Sequence, residues 1–122
     1  MKTPKRILER RRSVRIAEAL PFHIGHEDYE TQAVMVNLSI SGTLCLVDRD
    51  IPMMTQLKIA LSLPLTGTGG SSKERSVTAK GVVVRKEPYL QNGQFLIAIF
   101  FSDMKPADKK TLEQFIQHRL RG

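Results

Sequence analysis

The sequence predicts an all-β fold with one terminal helix: a six-stranded antiparallel barrel closed by a C-terminal α-helix. Three observations predict it. Apolar and polar residues alternate with period two through most of the middle of the chain, the period changes to helical spacing after Pro106, and 122 residues suffice for one domain with a buried core.

The alternation is clearest in Leu57-Lys58-Ile59-Ala60-Leu61-Ser62-Leu63 and in Phe95-Leu96-Ile97-Ala98-Ile99-Phe100-Phe101. In the second run Phe95 and Phe101 fall on the core side, leaving Phe100 to face outward. Shorter runs cover Thr31 to Leu38, with Val34, Val36 and Leu38 expected on one face, and Thr43 to Val47. Ser39-Ile40-Ser41-Gly42 joins these two as a hairpin turn. Val77 to Arg85 is a further strand, in which Gly81 is expected to bend the chain and shift the apolar parity from Val77 and Ala79 to Val82 and Val84. Leu20 to His26 supplies the first strand.

Turn-rich pieces separate these runs. Pro64 to Ser72 holds three glycines, but no Gly-Lys-Ser or Gly-Lys-Thr follows, so it is a hairpin tip and not a phosphate cradle. Leu112, Phe115, Ile116 and Leu120 then repeat at helical spacing over about 106–121, with Pro106 where a first turn tolerates it. That stripe is expected to dock on the sheet, with Lys109, Lys110, Gln117 and Arg121 in water.

Composition narrows the function classes. Hydrophobic residues at 41% and charged ones at 25% describe an ordinary soluble domain, and no apolar run reaches the roughly 20 residues that span a bilayer. The amino terminus lacks the apolar stretch of a secretory signal, so a cytoplasmic location is expected. The single cysteine, Cys45, excludes an internal disulfide or a thiolate cluster, and its apolar surroundings suit a buried hydrophobe. His23 and His26 would lie on opposite faces of a strand, and His118 near a helix end. No metal site, carboxylate pair or nucleophile with a base stands at a telling spacing, so no enzyme is expected.

The charge is concentrated. Lys2, Lys5, Arg6, Arg10, Arg11, Arg12 and Arg15, against Glu9, account for six of the +7 net charge, leaving residues 16–122 close to neutral. Residues 1–15 therefore read as a flexible basic arm, too poor in apolar surface to offset the entropy of ordering, ahead of a domain at 16–122. Arginine dominates its dense end, and the guanidinium both forks onto phosphate and stacks on rings. An anionic partner follows.

Arg10-Arg11-Arg12-Ser13-Val14-Arg15 and Asn37-Leu38-Ser39-Ile40-Ser41-Gly42 together resemble the paired signature of the PilZ domain family. Its first motif is two arginines, three variable residues and a third arginine, matched by Arg10, Arg11 and Arg15. Its second is Asp or Asn, any, Ser, any, any, Gly, matched by Asn37, Ser39 and Gly42. Gly81-Val82-Val83-Val84-Arg85 and Gly93-Gln94-Phe95 are also similar to the family's later strands. Either motif alone is weak, since arginine triplets occur in many nucleic-acid tails and Asn-x-Ser-x-x-Gly is an ordinary turn.

The resemblance implies a cyclic di-GMP receptor. That ligand presents two phosphates and two guanines, which ask for side chains able to pair with phosphate and cover a purine. By resemblance Arg11 and Arg15 would hold the ligand against the barrel, Asn37 and Ser39 would reach a guanine edge, and Gly42 would allow a close backbone approach. An arginine at position 10 implies two ligands per protein. Binding would order the arm and change a surface read by an unidentified partner in bacterial signalling, whether motility, pili, exopolysaccharide or virulence. Two other readings compete: a degenerate relative acting as a protein–protein adaptor without nucleotide, and a single-strand nucleic-acid module. Aromatic residues at 6% supply little stacking surface for the last.

Overall fold

The computed structural model describes residues 14–66, 72–89 and 93–121. The glycine-rich stretch from Gly67 to Ser71, the turn residues Leu90 to Asn92, and Arg10, Arg11 and Arg12 lie outside them. Among the described residues seven strands and one helix follow in order: β1 (Ile16–Ala17), β2 (Pro21–Gly25), β3 (Glu30–Leu38), β4 (Gly42–Val47), β5 (Gln56–Thr66), β6 (Ser72–Tyr89), β7 (Gln94–Met104) and α1 (Pro106–Arg121).

All pairings are antiparallel. β3, β2, β5, β6, β7 and β4 hydrogen-bond in that order, and β4 pairs back onto β3, closing a six-stranded barrel. Closure leaves the barrel wall without an open edge. β1 is a two-residue addition that continues the line of β2 along β3, with Ala17 opposite Asn37 and Ile16 opposite Leu38.

The core lies where the two clearest alternations place it. Leu57, Ile59, Leu61 and Leu63 of β5 and Ile97, Ile99 and Phe101 of β7 are buried, with Phe95 packed at the margin. Leu112, Phe115 and Ile116 of α1 complete this core, while Lys109, Lys110, Gln117 and Arg121 face water. Leu120 departs from the stripe. It is 56% exposed and lines a groove at the end of α1.

Two expected faces are reversed. In β3 the buried side chains are Ala33, Met35 and Leu38, whereas Val34 and Val36 are exposed. The pairing with β4 slips between Met35 and Asn37, so a bulge inserts one residue and Leu38 joins the inward set from the opposite parity. In β6 the inward series runs Val77, Ala79, Gly81, Val83, with Val84 exposed and Val82 only half-buried. Irregularities do fall at Lys80/Gly81 and Val83/Arg85. Gly81, however, stays in phase on the inward face, where a Cβ would meet Ile99 Cγ2 at 2.5 Å. The glycine makes room for a core isoleucine and does not turn the strand over.

Candidate functional site

The β3–β4 hairpin is built by its own side chains. Ser39 N–H donates to Gly42 O at 2.8 Å, closing the turn. Ser39 Oγ accepts the N–H groups of Ser41 and Gly42, each at 3.2 Å. Its hydroxyl is fully buried beneath the turn. Gly42 sits so close to β7 that an added Cβ would fall 2.2 Å from Ile99 O. Both residues therefore shape the hairpin from within. This is the local turn chemistry that Ser and Gly favour.

Asn37 is placed differently. It is half-buried on the outer face, and its carbonyl accepts the Thr43 hydroxyl at 2.7 Å, which fixes the backbone there. Because Ala17 lies opposite Asn37, the period-two geometry puts Arg15 on the same outward face as a diagonal neighbour, within reach of a long side chain. Arg15 Nη1 donates to Asn37 Oδ1 at 2.9 Å. One guanidinium N–H is thus used to hold the fork in place. Among the described residues the Asn37 amide nitrogen has no protein partner.

Apolar side chains continue the outer wall beside this pair. Register places Val34, Leu46 and Leu96 in one row across β3, β4 and β7, Asn37, Leu44 and Ala98 in the next, and Gly42 and Phe100 in the row beyond. The outer faces of β5 and β6 are more polar, with Lys58 and Ser62 beside Ala60 on β5 and Ser76, Thr78 and Lys80 beside Val84 on β6. A contiguous apolar outer face marks a binding surface. Its sequence signal was present: the runs at Thr43–Val47 and Phe95–Phe101 are apolar on both faces, although alternation alone identified only the core side.

Behind the arginine lies a contact invisible at short range. Arg119 Nε of α1 donates to Glu18 Oε2 at 2.9 Å, and its guanidinium carbon lies 4.8 Å from the centroid of the Phe115 ring. The helix end thereby ties down the chain just after Arg15. Among the described residues no group of three or more His, Cys, Asp or Glu is placed to hold a metal, and no helix is long and apolar enough to cross a membrane. His23 is exposed on β2, and His26 stacks on Tyr29 with ring centroids 4.7 Å apart.

A small closed barrel, plugged by one helix and carrying an arginine at a polar hairpin, is thus the class of protein that the fold defines. The family model described as the PilZ domain matches residues 9–118, and the chain belongs to that family. Solved structures share the fold. The Bacillus subtilis inhibitor of motility (MotI/DgrA) is 20% identical with a TM-score of 0.72, the match covering 92% of this chain and 52% of that one. The PilZ domain of YcgR from Escherichia coli with c-di-GMP is 19% identical, with a TM-score of 0.60 and 92% of each chain covered. E. coli YcgR in complex with c-di-GMP is 15% identical, with a TM-score of 0.62, covering 92% of this chain and 46% of that one. The chain thus spans about half the length of MotI and of intact YcgR. No curated protein matches the chain at a significant level.

Proposed function

We propose that this chain is a cyclic di-GMP receptor that acts as an adaptor, presenting a ligand-dependent surface to a partner protein in bacterial signalling. The observation that carries this reading is the hydrogen bond between Arg15 and Asn37, which joins the last arginine of the first motif to the first residue of the second beside an apolar outer wall. Guanidinium groups pair with the ligand's phosphates and stack on its bases, and the wall of Leu44 and Ala98 offers an apolar seat for a purine face. Asn37 presents amide donors to a guanine edge. Ser39 and Gly42 serve the site by holding the hairpin in shape.

Arg11 and Arg10, preceding the described residues, would complete the grip, Arg10 by recruiting a second ligand. Residues 1–15 then form the arm that closes over the ligand, and 16–122 the barrel with its helix. The YcgR structures with c-di-GMP support the ligand assignment at the level of a shared fold.

Calorimetric titration of the purified protein with cyclic di-GMP tests the reading, with GMP and a short single-stranded oligonucleotide as controls. Saturable heat from cyclic di-GMP alone is expected, at two ligands per protein, falling to one in Arg10→Ala. Heat from the oligonucleotide alone would transfer the arginines to nucleic-acid binding. Silence with all three would leave an adaptor without nucleotide.

A further inference from the structure

We propose that Phe100 is the stacking platform for one purine base of the bound ligand, an inference that rests on the receptor reading above. Phe100 is 49% exposed, in a strand whose neighbouring residues Ile99 and Phe101 both point into the core. The core therefore makes no use of it. Its cross-strand neighbours are Gly42, the last residue of the hairpin motif, and Val82. Gly42 leaves no side chain beside the ring on the β4 side.

Phe100 also borders a groove of about 800 Å³ shared with Val14, Ile40, Ser41, Ile116 and Leu120. Val14 immediately precedes Arg15, and Ser41 belongs to the hairpin, so one concavity joins the root of the arm to the exposed ring. Its volume lies within the range of small-molecule sites, about 300–1,000 Å³. Phe100 stands one row along and two strands across from Asn37. With strand spacings of about 4.8 Å and about 3.4 Å per residue, that is a displacement of about 12 Å. A ligand with two bases on a phosphate ring can be gripped at Arg15 and still lay one base over Phe100. An aromatic ring is sequence-tolerant toward bases, so Phe100 supplies affinity while Asn37 reads the edge.

The absence of tryptophan from the chain makes the test direct. Phe100→Trp introduces a single indole, whose emission is expected to be quenched along the same isotherm that calorimetry records for cyclic di-GMP. Phe100→Leu keeps the apolar bulk without the aromatic face and should weaken binding about 5- to 100-fold, with an unchanged melting temperature. Phe100→Ala should weaken it at least as much. Wild-type affinity in Phe100→Leu, or saturable heat in Phe100→Trp with no change in emission, would overturn the assignment while leaving the receptor reading intact. No heat with the wild-type protein would remove the receptor reading, and this one with it.

Discussion

Arg15 and Asn37 lie 22 residues apart and meet through a 2.9 Å hydrogen bond on the outer face of the barrel. The bond follows from β1, whose two residues pair with the end of β3 and leave Arg15 projecting diagonally toward Asn37. The arginine is thereby held in place by the protein alone, which in the proposed receptor would lower the ordering cost of binding.

Arg15→Ala is expected to reduce cyclic di-GMP affinity at least 100-fold in calorimetry, as removal of a charge-assisted phosphate contact of about 3 kcal/mol would. An exposed hydrogen bond contributes only about 1 kcal/mol to folding, so the melting temperature should move by a few degrees at most. Asn37→Asp should shorten the contact to Arg15, because the acceptor becomes charged, and weaken binding, because the amide donors offered to the guanine edge are lost. Undiminished binding in that variant would show that the amide donors of Asn37 are dispensable.

Ser39 and Gly42 should behave as structural residues. Gly42→Ala drives a methyl group into the backbone of β7 at Ile99, and a destabilisation of about 2–4 kcal/mol is expected in urea unfolding. Ser39→Ala leaves the buried N–H of Gly42 without its hydroxyl acceptor and should cost about 1–3 kcal/mol. In both, ligand affinity should fall only as the folded fraction falls. Selective loss of affinity in a fully folded Ser39→Ala protein would place the hydroxyl on the ligand instead.

The ion pair between Glu18 and Arg119 links the root of the arm to the end of α1 across 101 residues. Both side chains are partly shielded, at 16% and 34% exposure, so a double-mutant cycle with Glu18→Gln and Arg119→Met should give a coupling of about 1 kcal/mol. Proton exchange measured at the amides of Ile16 and Ala17 should accelerate in either single variant, since the strand that aims Arg15 loses its anchor.

Burial raises the Cys45 thiol from 9.0 to about 12. The native protein therefore keeps its proton where the unfolded chain loses it, and stability should decline as pH rises through about 9 toward 12, with this thiol contributing little slope below about 8. Replacement by alanine should flatten that part of the curve. At pH 8 a thiol reagent should react at the rate of unfolding and not at the rate of an exposed cysteine.

The inward face of β5 was legible in the residues, because Leu57, Ile59, Leu61 and Leu63 alternate with polar or small residues, and that of β7 was legible because Phe or Ile recurs at every second position from Phe95 to Phe101. So was the span of α1. β3 was misread for a definite reason. Val34, Val36 and Leu38 alternate as well as Ala33 and Met35 do, and only pairing with β4 reveals the bulge that lets Leu38 share a face with Met35.

What the sequence by itself determined is the inventory: short amphipathic strands, one terminal helix, a single shielded thiol and an arginine cluster with a polar hairpin to meet it. Tertiary structure alone decided how these residues divide their work. Alternation declares that a strand has two faces, yet barrel closure selects which is buried, and a bulge changes the parity without a distinctive residue to announce it. Closure also brings Ile99 against Gly42, which makes that glycine a packing requirement, while the docking of α1 carries Arg119 to Glu18 and the pairing of β1 with β3 carries Arg15 to Asn37. Such contacts depend on the path of the whole wall, and no local window of the chain contains both partners.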